Sequence, residues 1–169
     1  MNERRKITIE RTFEATLSDV WGLWTTKEGI ESWWGPEGFS VKVEALDLRP
    51  GGELRYVMTA TAKETIAFMK SAGMPESTRT ALTYVEVTPK TRLVYTNHVD
   101  FVPEVGVYDV DTVVEFAVRG KAVHLLLALD AMHDQTWTGR MKAGWESELG
   151  KLARALEGRV GQTEGRATT

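Results

Sequence analysis

The chain contains no cysteine. That excludes disulfide frameworks and thiolate metal sites, and it suits a reducing compartment such as the cytoplasm. A basic excess is also missing: 21 Lys and Arg stand against 24 Asp and Glu, for a net charge of -3 and a pI near 5.7. Such a balance gives no cationic footprint for nucleic acid or an anionic membrane surface. Residues 1–6 lead into an alternating pattern and not into a long apolar run, so neither a signal peptide nor a membrane span is expected. Phosphate-cradling glycine loops and the G-x-S-x-G elbow are absent, and no cofactor is expected. His98, His124 and His133 lie far apart, with no pair at helical ligand spacing. They read as structural or surface histidines in preference to a metal site.

What the chain does have is 169 residues, 42% of them hydrophobic, enough to bury the core of a single domain over residues 1–157. Its most organised stretch lies near the end, over residues 134–157. At about 100° per residue, Met141, Trp145, Leu149, Leu152 and Leu156 fall in one narrow stripe, with Trp137 and Ala153 on its shoulders. Arg140, Glu146, Ser147, Lys151, Arg154 and Glu157 take the other side. Asp134 is placed to cap this helix, and Gly158 stands where a C′ glycine would close it. Residues 158–169 are polar and glycine-containing and read as a disordered tail. The stripe requires a large apolar receiver.

Alternating segments supply it. Residues 6–14 place Ile7, Ile9 and Phe13 on one side of a half-buried strand. Arg11 shares their parity, which makes it either a snorkelling arginine near a strand end or a charge inside a cavity. Ser18 is positioned to cap a short helix to Thr25, and a second helix follows over residues 27–34 until Gly35-Pro36 stops it. Four tryptophans in this region, Trp21, Trp24, Trp33 and Trp34, read mainly as packing for the helix pair. Strands follow at 39–48, 53–59, 80–88, 92–99, 109–118 and 122–130, joined by turns short enough to imply antiparallel pairing. Residues 61–75 interrupt them with a helix: Thr61-x-x-Glu64 has capping-box spacing, and Gly73 and Pro75 end the segment.

This order of elements, in an α+β class, resembles the helix-grip fold of the START-like (SRPBCC) superfamily, a bent antiparallel sheet wrapped around a long C-terminal helix. Trp33-Trp-Gly-Pro36, Pro50-Gly-Gly52, Tyr84-x-Glu-Val87 followed by Pro89-x-x-Arg92-Leu-Val94, and Gly144-Trp145-x-x-x-Leu149-x-x-Leu152 narrow the resemblance. Together they look like the family of homologues of the activator of the 90-kDa heat-shock protein's ATPase, over about residues 5–157. The resemblance implies a cavity between sheet and long helix, suited to an apolar or amphipathic small molecule. It carries no general catalytic signature. A cyclase- or dehydratase-type enzyme and a co-chaperone-like, stress-related interaction domain remain as alternatives, with the chain a monomer or homodimer.

Cavity candidates are Trp21, Trp24, Tyr56, Met58, Tyr84, His98, Trp137 and Met141, with Arg11 and Glu148 as a charged pair. Glu148 falls about 60° from Trp145 inside the apolar arc, where a carboxylate needs a cation or donor, and Arg11 is the other charge on a buried face. His98, Asp100, Glu86 and Asp111 are conceivable acid–base groups, but strand parity favours outward positions for them. The 61–75 helix is expected to cover the cavity mouth or a neighbouring subunit.

Overall fold

The computed structural model describes residues 6–99 and 104–166, with side chains as far as Gly158. Alternation of apolar residues produces seven strands: β1 (Lys6–Phe13), β2 (Phe39–Leu46), β3 (Glu53–Ala60), β4 (Ser77–Thr88), β5 (Arg92–Val99), β6 (Tyr108–Arg119) and β7 (Ala122–Asp130). They form one antiparallel sheet in the order β1-β7-β6-β5-β4-β3-β2. Every consecutive pair from β2 to β7 is a neighbour, including β3 and β4, whose connection carries a helix. β1 and β2 lie at opposite edges. The helix pair α1 (Leu17–Thr25) and α2 (Lys27–Trp33) carries the chain between them.

The sheet curls around a long C-terminal helix, α4 (Gln135–Arg166), in the helix-grip arrangement. Leu149, Leu152 and Leu156 of α4 join one core with Leu54, Leu82, Leu93, Val114 and Leu127 from the inner sheet face. In close backbone packing α4 meets α1, α2 and β1, so the middle strands are reached by long side chains. Among the described residues, no helix is long and apolar enough to cross a membrane.

Local chemistry sets the helix ends. The α1 cap is Thr16, whose hydroxyl accepts from Asp19 N–H at 3.1 Å. The expected cap, Ser18, already lies inside the first turn. Thr26 serves two helices: its N–H closes α1 on Gly22 O, and its hydroxyl caps α2 by accepting from Gly29 N–H at 3.0 Å. Such sharing requires a close crossing. A Cβ on Gly29 would stand 2.4 Å from Gly22 O and 2.7 Å from Leu23 Cα.

Two expected ends differ. The inserted helix α3 (Lys63–Ser71) does lie between β3 and β4, but its N-cap is Ala62, with no side-chain cap. Thr61 forms no capping box because both its N–H and its hydroxyl donate to Gly38 O. Asp134 caps α4 as expected, accepting from Trp137 N–H at 2.7 Å. Gly158, however, does not close that helix, which runs on to Arg166. A helical glycine costs about 1 kcal/mol relative to alanine but does not oblige a stop.

Candidate functional site

The α4 stripe is covered unevenly. Leu149, Leu152 and Leu156 are buried, whereas Met141 and Trp145 are half-buried. Trp145 was expected to match the leucines; it instead stacks on buried Trp24, with centroids 6.0 Å apart and planes at 16°. Trp34 meets Trp145, Tyr56 and Tyr95, each at a centroid distance of 6.2 Å. Tyr84 and Tyr95, paired across β4 and β5, meet edge to face at 6.3 Å. An aromatic wall therefore runs from α4 through Trp34 to the middle of the inner sheet face.

Glu148 enters this wall from α4. The residue is half-buried and its carboxyl is enclosed by protein atoms, which pushes the group up from 4.5 to about 7. A hydrogen bond from Gly35 N–H, 2.6 Å to Oε1, and the charge of Lys151 oppose that rise. Burial lowers Lys151, and Glu148 acts in the other direction. The charge of Glu148 reaches two phenols: Tyr56, pushed up by burial to about 12, and Tyr95, held well above the usual phenol range by its burial. Both stay neutral near pH 7. The buried Trp24 indole N–H has no hydrogen-bond partner among the described residues, whereas the Tyr95 hydroxyl lies against the Thr112 side chain, whose hydrogen bond opposes the rise of the phenol. The neighbouring Thr112 hydroxyl accepts from Asn97 Nδ2 at 3.1 Å.

Glu148 is thus interior, as its helical angle implied, but its expected partner is wrong. Arg11 is exposed and donates to the backbone O of Glu10 at 2.8 Å. Edge strand β1 lets the long stem of Arg11 reach water from an inward-parity position, the snorkelling alternative. The real partners come from the α2–β2 loop. Lys151 Nζ donates to Gly35 O at 2.9 Å, Glu37 N–H donates to Ser147 Oγ at 2.8 Å, and Arg154 pairs with Glu37. The α4 face assigned to solvent therefore clamps this loop. Gly35 has φ +84°, and a Cβ there would come within 3.1 Å of Val41 and 3.4 Å of the Met58 sulfur. The loop then meets α3, since Gly38 O accepts from Thr61 and Ala62 N–H.

The other sequence candidates separate by strand parity. Tyr56 and Tyr84 are buried in the wall, with half-buried Met58 beside it on the inner face of β3. Trp24 lies beneath them as core. Trp21 packs edge to face on Phe116, 5.3 Å away, on the far side of Trp24. Met141 bridges the main core to a second cluster containing Val99, Val110 and Trp137.

His98 does not line this interior. Leu93, Tyr95 and Val99 are the buried positions of β5, so His98 faces out, bonded to Thr83 at 3.0 Å and Asp109 at 2.8 Å. It borders a shallow outer depression with Glu44, Arg55 and Arg79. Glu86 pairs with Arg92, and Asp111 accepts from Thr96, both on the outer face as parity suggested. Asp100 lies outside the described residues. Among the described residues, no three His, Asp or Glu converge as a metal set. Sequence reasoning passed over Tyr95, Trp34 and Gly35. The alternation Leu93, Tyr95, Asn97 was the available signal for the first; a backbone donor such as Gly35 N–H leaves none.

No curated protein matches the sequence. Solved structures do match in fold. A Chromobacterium violaceum protein is 24% identical, with TM-score 0.73, over 90% of this chain and 96% of its own. A Nitrosomonas europaea protein is 21% identical, with TM-score 0.71, over 95% and 99%. An AHSA1-like protein from Aeromonas hydrophila is 22% identical, with TM-score 0.71, over 92% and 94%. The family model for activator of Hsp90 ATPase homolog 1-like protein matches residues 14–157, nearly the whole described domain. By that match, with the sheet, loop and helix arranged as above, the chain belongs to the activator of Hsp90 ATPase homolog 1-like family, within the START-like fold.

Proposed function

We propose that this protein binds a small apolar or amphipathic molecule between the N-terminal half of α4 and the inner face of β3–β6. One observation carries the reading: a continuous apolar stripe that is sealed at Leu149–Leu156 and left half-open at Trp145 and Met141. Large side chains at half-open positions facing an aromatic wall are the lining that small-molecule sites use. Half-buried Met58 and Trp137 extend it from β3 and the start of α4. Helix α3, tied to the Gly38 carbonyl, is the mobile cover of this site in the proposal, or its contact with a second copy. Its Phe68 is 51% exposed and Met69 is buried.

The test is titration with an apolar fluorescent probe. The expected result is one site per chain, displaced competitively by hydrophobic compounds and weakened by Met141→Lys. A folded protein that takes up no probe refutes the reading.

A second reading has one observation in its favour. A carboxyl carried to about 7 among neutral phenols is matched to proton transfer near neutral pH, as a cyclase- or dehydratase-type enzyme would use it. Under that reading Glu148→Gln abolishes turnover and leaves binding intact. The exposed large apolar residues Phe68, Val85, Val107 and Val118 lie on different elements, which gives less support to an interaction surface.

A further inference from the structure

The loop between α2 and β2, residues 34–38, is held from two sides. On one side α4 clips a single residue at both its backbone groups: Gly35 N–H donates to Glu148 Oε1 at 2.6 Å, and Gly35 O accepts from Lys151 Nζ at 2.9 Å. Glu37 adds a second hold, its N–H on Ser147 Oγ at 2.8 Å and its carboxylate on Arg154. On the other side α3 is seated on Gly38, whose O accepts from Thr61 N–H at 2.7 Å and Ala62 N–H at 3.1 Å. The first turn of α3 fills the space a side chain would need there, since a Cβ on Gly38 would overlap the Thr65 hydroxyl. With no side-chain cap of its own, α3 takes its start from this carbonyl. Gly35 and Gly38, at φ +84° and +91°, bracket Pro36-Glu37. A segment with a glycine near each end can pivot without the strain a Cβ would bring.

We propose that Glu148 is a proton-operated latch on this loop: protonated, it holds the loop and, through Gly38, helix α3 closed over the site; ionised, it releases both. The inference rests on the reading of α3 as the cover of that site. Its sign follows from the enclosure of the carboxyl. The protonated acid keeps an acceptor for Gly35 N–H and carries no charge into the protein interior. The carboxylate is penalised there, and Gly35 and Lys151 offset only part of the penalty, so the closed form holds its proton up to about 7. Swinging the loop away returns Glu148 to water and to its ordinary 4.5. Opening is therefore coupled to loss of a proton: the closed form is at full strength below 4.5 and loses ground as pH rises to 7. The groups facing Glu148 leave this window to it. Lys151 stands beside it on α4, the phenols of Tyr56 on β3 and Tyr95 on β5 stay neutral, and Glu37 of the loop is paired with Arg154. On α2, Glu31 accepts from Val43 N–H at 3.0 Å.

Amide hydrogen exchange of the full-length protein, corrected for the intrinsic effect of pH on exchange, tests this without any ligand. Between pH 6 and pH 8 the protection of α3 and of Thr61 and Ala62 should fall about tenfold, the ratio that a carboxyl at 7 closed and 4.5 open requires. These amides should exchange faster than Leu125 and Leu127 of the central strand β7, which report global unfolding. Glu148→Gln keeps the acceptor and cannot ionise, so its α3 protection should be the same at both pH values. If that variant fails to fold, wild-type amide resonances decide: Gly35, Thr61 and Ala62 should shift with one shared midpoint near 7. The proposal is overturned if α3 protection is independent of pH or rises with it, if α3 exchanges only with β7, if Glu148→Gln keeps the pH dependence, or if Gly35 titrates without Thr61 and Ala62. A pH-dependent release of α3 in a protein that takes up no apolar probe removes the binding reading alone. Probe binding with an α3 indifferent to pH removes this inference alone.

Discussion

Replacing Glu148 by glutamine retains the side chain's shape and an acceptor for Gly35 N–H, and it removes the ionisation. The folded carboxyl stands at about 7 against an ordinary 4.5, raised by burial and only partly restrained by Gly35 and Lys151. Below pH 4.5 the group is protonated whether the chain is folded or not, and it takes nothing from stability. Between 4.5 and 7 the unfolded chain releases the proton while the folded one holds it, so stability falls as pH rises. Above 7 the full penalty is in place. At about 1.4 kcal/mol for each tenfold in proton affinity, the penalty is on the order of 3 kcal/mol. The other titratable groups facing Glu148 are Lys151, Tyr56 and Tyr95, and neither phenol ionises in this window. Urea unfolding of both proteins at pH 5, 6, 7 and 8 reads the effect. Glu148→Gln should gain on the wild type by roughly 2–3 kcal/mol from pH 5 to pH 8. A stability difference that does not change with pH would show that the carboxyl is solvated in the folded chain, and the site argument would lose its centre.

Three further outcomes follow from the packing. Gly29→Ala should destabilise by roughly 1–3 kcal/mol in urea unfolding, because its Cβ meets the backbone of Gly22 and Leu23 and the Thr26 hydroxyl that caps α2. Trp33→Phe deletes the indole N–H that donates to Leu23 O at 2.7 Å in a fully buried setting. It should cost roughly 1–3 kcal/mol for the unpaired carbonyl, with further loss from the vacated volume. Replacing residues 62–74 with a short glycine-containing turn should leave the unfolding midpoint nearly unchanged and alter probe affinity or sedimentation instead; loss of cooperative unfolding would place α3 in the core.

Sequence patterning reached the strands, the helix pair, the insertion and the long helix because each has a period that a one-sided core imposes. The same periodicity located Glu148 on the inner arc of α4. It could not find what Glu148 bonds to. Gly35 N–H is a backbone donor in a loop, aimed inward by a positive φ that only the folded chain reveals. Arg11 had the right parity and the wrong position, since an edge strand lets a long side chain turn back to water. His98 failed for the opposite reason: its alternation was readable, and Leu93, Tyr95 and Val99 already occupied the inner face of β5. Ser147, Lys151 and Arg154 looked like a solvent face because a helix wheel shows polarity, not the loop that will be laid against it.

The central claim is that a small molecule occupies the space between the half-open stripe of α4 and the aromatic wall. Indole N–H resonances in a nitrogen-15 correlation spectrum, assigned by single tryptophan-to-phenylalanine changes and followed during naphthalene addition, test it most directly. The account predicts saturable shifts at Trp145 and Trp34, a smaller one at Trp137, and little change at Trp33, which is held on Leu23 O. Saturation with no indole shift, or shifts confined to backbone amides of the outer sheet face around Ala81 and His98, would contradict it.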